Sequence, residues 1–132
     1  MDVLLVEDNP ADIYLIQHVL GDVRTDLRLW VKPDGVEALQ FLRNASPITP
    51  VPKPVLILLD LQLPITDGTL LVPQIRQLSD YRTTPIVIIT DVPWEREGTH
   101  CLQLGANAYI QKTANFYAFC DALREIAQRW LR

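Results

Sequence analysis

Four sets of polar residues stand at the ends of short apolar runs in this chain: Glu7 and Asp8 after Val3 to Val6, Asp60 after Val55 to Leu59, Thr90 after Ile86 to Ile89, and Lys112 shortly after Ala108 to Ile110. Carboxylates, a hydroxyl and an ammonium are the parts that phosphoryl transfer uses. A carboxylate can attack phosphorus and form an aspartyl phosphate, and the work left to the protein is positioning and neutralisation of oxygen charge. Three carboxylates brought together repel one another, so a cation is expected among them. Oxygen donors suggest Mg²⁺, which takes one or two protein carboxylates and keeps waters that a phosphate can replace. Asp8 and Asp60 would ligate it directly, Glu7 would act through water, and a backbone carbonyl just after Asp60 would add a neutral ligand. Lys112 and Thr90 would each hold a phosphoryl oxygen.

Each residue also has an ordinary explanation. Acids favour a helix N-terminus, Asp and Thr favour strand-end turns, and a lysine usually lies over apolar surface with its charge in water. All of these must hold together for the site to vanish.

The elements that would position such a site are legible. Runs at Val3–Val6, Leu27–Val31, Val55–Leu59, Ile86–Ile89 and Ala108–Ile110 read as five strands. Three of them are almost continuously apolar, as a parallel strand covered on both faces requires. Helical signals fill the gaps. Asn9 can cap a helix with Pro10 at its first position and Asp12 in its first turn, and Ile13, Ile16 and Leu20 share a face. Asp34 and Glu37 have capping-box spacing. A third helix follows Asp67-Gly68, and Pro73 inside it predicts a kink or a late start. A fourth spans about Trp94 to Leu104 and is closed by Gly105. In the fifth, Phe116, Phe119, Leu123, Ile126 and Trp130 form one apolar stripe. The segment from Ala45 to Pro54, with Pro47, Pro50, Pro52 and Pro54, reads as an extended surface loop. Alternating strands and helices give a doubly wound α/β domain, in which ligands bind outside the carboxyl ends of the strands.

Composition bounds the alternatives. The 132 residues are about one domain, expected to span 1–132, and 48% hydrophobic with 21% charged residues is an ordinary globular balance. A net charge of -4 without a Lys/Arg cluster argues against nucleic acid as a direct partner. The longest apolar stretch is far short of the roughly 20 residues that cross a bilayer, and the N-terminus has no basic segment leading an apolar one. A cytoplasmic chain with no membrane partner is expected. Cys101 and Cys120 read as buried thiols rather than a disulfide.

At this point the residues match a family. The chain resembles the response-regulator receiver domains: Glu7-Asp8 after the first strand, Asp60 followed by Leu63-Pro64 and Asp67-Gly68, Thr90 after the fourth strand, Gly105-Ala106 before Tyr109, and Lys112 after the fifth. The resemblance covers essentially the whole chain and implies a flavodoxin-like sheet of order 2-1-3-4-5. It implies that Asp60 is phosphorylated by a sensor histidine kinase with self-catalysed transfer and dephosphorylation, and that Asp8, Asp60 and the Gln62 carbonyl bind Mg²⁺ with Glu7 in support. Thr90 and Lys112 would bind the phosphoryl group, and Tyr109 would turn inward with Thr90 as an aromatic switch. A narrower resemblance, carried by the run from Glu7 to Asp12, the run from Asp34 to Leu39, the Leu104–Asn107 segment and the Gln128–Leu131 ending, is to the single-domain regulators that serve bacterial phytochromes. It names a phytochrome-type kinase as the expected donor. The readout surface would involve Trp94, Phe116, Tyr117 and the C-terminal helix, which a homodimer through the fourth helix, fifth strand and fifth helix could use.

Two positions depart from the family pattern. Thr113 follows Lys112 where most receivers have proline, so a trans bond is expected there. Asp91 stands beside Thr90 where a small or neutral residue is usual, either facing the incoming donor or simply pointing to solvent or capping the next helix. Two other readings compete with the receiver. A pseudo-receiver acting as a phosphorylation-independent interaction module would not need Asp60, Thr90 and Lys112 together. A flavodoxin-like nucleotide carrier would need Gly, Ser or Thr in its first loop to cradle phosphate, where this chain has the anionic Glu7-Asp8-Asn9-Pro10.

Overall fold

The computed structural model describes residues 1–45, 51–113 and 115–131. Five strands, β1 (Asp2–Val6), β2 (Arg28–Lys32), β3 (Leu56–Leu59), β4 (Ile86–Thr90) and β5 (Ala108–Gln111), alternate with helices α1 (Pro10–Val23), α2 (Gly35–Asn44), α3 (Gly68–Gln77), α4 (Trp94–Leu104) and α5 (Phe116–Trp130). The sheet is parallel throughout, in the order β2-β1-β3-β4-β5. Of the proline-rich loop, Pro47 and Pro50 lie outside the described residues, and Pro54 is buried at the entrance to β3.

The apolar runs have a direct structural cause. Successive strand residues point to opposite faces, and here both faces are covered. Leu4, Val6, Ile57, Leu59, Ile86 and Ile88 join a core with α2, α3 and α4, whereas Val3, Leu5, Leu56, Leu58, Val87 and Ile89 join a second core with α1 and α5. Every residue of β3 and β4 is buried. At about 1.5 to 3 kcal/mol for each large side chain removed from water, the register of these strands is strongly fixed.

Helix starts are set by side-chain caps. The Asn9 side chain accepts from the backbone N–H groups of Ala11 and Asp12 at 2.9 and 3.2 Å. Asp34 accepts from Glu37 N at 2.9 Å, Asp67 from Thr69 N at 3.0 Å, and Asn115 from Ala118 N at 3.1 Å. Gly105, at φ 118°, closes α4 with its N–H on the carbonyls of Cys101 and Leu102. Pro73 does not delay α3, which begins at Gly68 and continues through it to Gln77. Proline removes one N–H from the ladder, and the burial of Leu71, Val72 and Ile75 on the same helix offsets that loss.

The end of the sheet remote from the strand carboxyl ends is tied by Arg76. Its guanidinium donates to the carbonyls of Tyr81, Thr84 and Gly105 and to the Asn107 side chain, at 2.6 to 3.1 Å. That clamp joins α3, α4 and the starts of β4 and β5, and leaves the opposite end of the sheet open for chemistry.

Candidate functional site

The strand ends deliver their polar residues to one place. The Lys112 ammonium, beyond β5, lies 2.8 Å from Asp60 Oδ2 beyond β3 and 2.9 Å from Glu7 Oε2 beyond β1. All three side chains are buried, at 7%, 4% and 1% exposure. A third carboxylate completes the ammonium's shell: Asp12 Oδ2, at 2.8 Å. Thr90 is fully buried at the end of β4, and its hydroxyl receives a long bond from Val92 N at 3.4 Å.

Asp60 is held from its other side by the main chain, since Gln62 N donates to Oδ1 at 2.9 Å. The loop that follows doubles back on itself. Thr66 N donates to the Pro64 carbonyl at 2.7 Å across Ile65, whose φ of 71° is unusual for a β-branched residue. The reversal pairs Gln62 with Asp67 and brings Gly68 N onto the Leu61 carbonyl at 3.2 Å. Gly68 packs so closely that a Cβ there would lie 2.5 Å from Leu61 Cα and 2.7 Å from the Asp60 carbonyl oxygen.

The charges are unevenly settled. Burial works to raise the Asp60 pKa, but hydrogen bonds from Lys112, Gln62 N and Thr90 outweigh it and hold the carboxyl below its ordinary value. Burial pushes Glu7 up to about 7 despite the Lys112 bond, with the Asp60 charge adding to the rise. Burial acts to lower Lys112, yet its bonds to Asp12, Asp60 and Glu7 keep it firmly protonated, above its ordinary value. Asp60 is therefore the carboxylate kept ionised beside a fixed cation, which is the state a nucleophile towards phosphorus needs.

The side chains of Asp8 and Gln62 are exposed, next to the buried Glu7 and two residues beyond Asp60 respectively. The donor set suits a hard divalent cation. Glu7, Asp12 and Asp60 place three carboxylates around the ammonium of Lys112, and the exposed Asp8 follows Glu7 directly in the chain. Among the described residues no three or more His, Cys, Asp or Glu side chains form a cage of their own.

Tyr109 stands apart from the acidic cluster. Its hydroxyl donates to the Val92 carbonyl at 2.6 Å, and its half-buried ring meets Trp94 edge-on at 5.5 Å. Asp91 is exposed, and the cap expected of it is not made: Pro93 precedes α4 without a side-chain cap, and the Gln111 side chain on β5 accepts from Trp94 N at 3.3 Å instead. The peptide bond into Thr113 is trans.

The spacing of apolar runs brought Glu7, Asp60, Thr90 and Lys112 together correctly, but it missed Asp12, which reads in sequence as an acid favouring a helix start. The signal was available. Side chains in a first helical turn tilt back towards the N-terminus, and α1 begins four residues after β1 ends, so Asp12 leans over the strand ends.

The family model for the response regulator receiver domain matches residues 3–124. Response regulator Rcp1 of Synechocystis is 35% identical over 129 residues, covering 98% of this chain and 88% of that protein. Among solved structures, the phosphorylated cyanobacterial phytochrome response regulator RcpA superposes with a TM-score of 0.88 at 34% identity, covering 98% and 93% of the two chains. The receiver domain of sensor histidine kinase PA1611 from Pseudomonas aeruginosa, solved with a magnesium ion in its active-site cleft, gives 0.78 at 29% identity, covering 98% and 96%. With its strand order, its acidic cluster and the match over nearly its whole length, the chain belongs to the response regulator receiver domain family.

Proposed function

We propose that residues 1–132 form one receiver unit that accepts a phosphoryl group on Asp60 from a sensor histidine kinase, in the cytoplasm. The observation that carries this reading is the 2.8 Å contact between the Lys112 ammonium and a buried, ionised Asp60. In the transfer, an Asp60 carboxylate oxygen forms a bond to phosphorus as the P–N bond of the donor phosphohistidine breaks. The imidazole leaves with the bonding pair and takes up a proton. Gln62 N fixes Asp60 Oδ1, which leaves Oδ2 as the attacking atom. Lys112 then passes from Oδ2 to a phosphoryl oxygen, and the Thr90 hydroxyl turns to another. Asp8, Asp60 and the Gln62 carbonyl would hold Mg²⁺, with Glu7 supporting it through water. Bound there, it supplies a charge that offsets the phosphoryl oxygens. The same groups leave an attacking water well placed to hydrolyse the acyl phosphate, so slow self-dephosphorylation belongs to the reading.

The similarity to Rcp1 and RcpA supports a phytochrome-type kinase as donor. The output is a change of surface. As Thr90 is drawn to the phosphoryl group, Tyr109 gives up the Val92 carbonyl and turns inward, altering the Trp94 face and, beyond it, Phe116 and Tyr117 at the start of α5. A homodimer through α4, β5 and α5 would use that face. Incubation with Mg²⁺ and acetyl phosphate, followed by intact mass measurement, tests the chemistry: one phosphoryl group should be added to the wild type. Asp60→Asn or excess chelator should abolish it, and labelling that survives either would overturn the assignment.

A further inference from the structure

We propose that Asp12 is a positioning residue for Lys112, holding the ammonium aimed at the phosphoacceptor and at the group it receives. This inference rests on the phosphoacceptor reading of Asp60. An ammonium has three N–H donors, and those of Lys112 meet three carboxylates: Glu7, Asp12 and Asp60. Only the Asp60 bond has to change in phosphoryl transfer. The other two fix the direction of a long side chain that would otherwise lose much of its rotamer freedom at the moment of reaction.

The two anchors are built as one unit. Asn9 N donates to Glu7 Oε1 at 3.1 Å, and the Asn9 side chain accepts from Asp12 N at 3.2 Å. Glu7 Oε2 and Asp12 Oδ2 then converge on Lys112, which closes a ring of hydrogen bonds through the cap of α1. A helix start thus sets both anchors, and the positive end of the helix favours the Asp12 charge where it stands. Glu7 is sealed inside at 1% exposure, whereas Asp12 is 24% exposed. Asp12 is accordingly the anchor on the open side, the direction in which Lys112 would otherwise swing out to water.

The test uses Asp12→Asn and Asp12→Ala in the full chain. Asparagine keeps an acceptor oxygen at the same reach and alanine keeps none, but both remove the charge. Labelling by acetyl phosphate with Mg²⁺ should slow roughly tenfold in Asp12→Ala and about threefold in Asp12→Asn, as expected when an aimed group is loosened. In the unphosphorylated, metal-free protein, the ¹H–¹⁵N signal of the Lys112 ammonium, assigned by its absence in Lys112→Ala, should be resolved in the wild type. It should weaken in Asp12→Asn and be lost to solvent exchange in Asp12→Ala. Unchanged rates and signals in both variants would overturn the proposal, as would equal rate changes in the two, which would make charge alone the cause. If the wild type takes up no phosphoryl group, the phosphoacceptor reading falls, and the ammonium signal still decides whether Asp12 holds Lys112.

Discussion

Gly68→Ala should damage both stability and phosphorylation, for a reason that can be worked out atom by atom. The added Cβ would lie 2.5 Å from Leu61 Cα, 2.7 Å from the Asp60 carbonyl oxygen and 2.8 Å from the Leu61 carbonyl oxygen, where ordinary contact begins at 3.4 Å. All three are backbone atoms, so no side chain can rotate aside, and either α3 or the Asp60–Leu61 peptide must retreat by close to an ångström. Overpacking of this kind costs about 1 to 3 kcal/mol, which for a domain of this size lowers Tm by roughly 5 to 12 °C. Because misplacing a reacting group by about 1 Å can cost up to 100-fold, acetyl phosphate labelling should fall by roughly 10- to 100-fold. Gly21→Ala is the matched control: nothing lies within 4 Å of a Cβ there, and the site is a helix interior. Alanine should stabilise that helix by about 0.5 to 1 kcal/mol and leave labelling unchanged. Thermal melts and labelling rates on the two variants check the pair. Wild-type Tm and rate in Gly68→Ala would refute the claim that this glycine seats the phosphoacceptor loop.

Asp91→Ala should speed labelling by about three- to tenfold at low salt and by less at high salt, because an exposed carboxylate beside Thr90 repels an anionic donor; its Tm should not move, since Asp91 caps nothing, and a rate indifferent to salt would exclude the charge. Burial works to raise Asp2, but bonds from Trp30 and Arg28 and the Arg28 charge outweigh it and depress its pKa. Its stabilisation is therefore present above the unfolded value near about 3.9 and is lost as pH falls through the lower folded value. Asp2→Asn should be less stable than wild type near neutrality by about 1 kcal/mol, with the gap closing in acid; a gap constant with pH would contradict this. Gly98→Ala places a Cβ inside the Trp94 ring, which meets the Tyr109 ring edge-on. Trp94 should swing into water, read as a red-shifted tryptophan emission, while labelling persists; unchanged emission would mean that Trp94 does not rest on Gly98.

What could be read from the sequence was what repeats locally. Continuous apolar runs announced a parallel sheet because each strand feeds both cores, and residues immediately beyond those runs had to lie at one edge. The caps at Asn9 and Asp34 are contacts over two or three residues, so their spacing carried them. Other features depend on geometry between distant elements. Gln111 caps α4 across 17 residues, a role that no local pattern records, and the cap expected of Asp91 fails because Pro93 begins the helix from further along. The reversal at Ile65 places a β-branched residue at positive φ, against its local preference, so no local pattern announces it. Asp12 fell between the two: its helix position was legible, and its partner 100 residues away was not.

The most direct test of the account is to find where the phosphoryl group goes. The wild-type chain, labelled with acetyl phosphate and Mg²⁺ and then treated with borohydride, should have its acyl phosphate reduced to a primary alcohol, turning the modified aspartate into homoserine. Peptide mass spectrometry should place that single homoserine at Asp60, with Glu7, Asp8 and Asp12 unchanged. Homoserine at Asp8 or Asp12, or none at Asp60 in protein that has gained a phosphoryl group, would contradict the account.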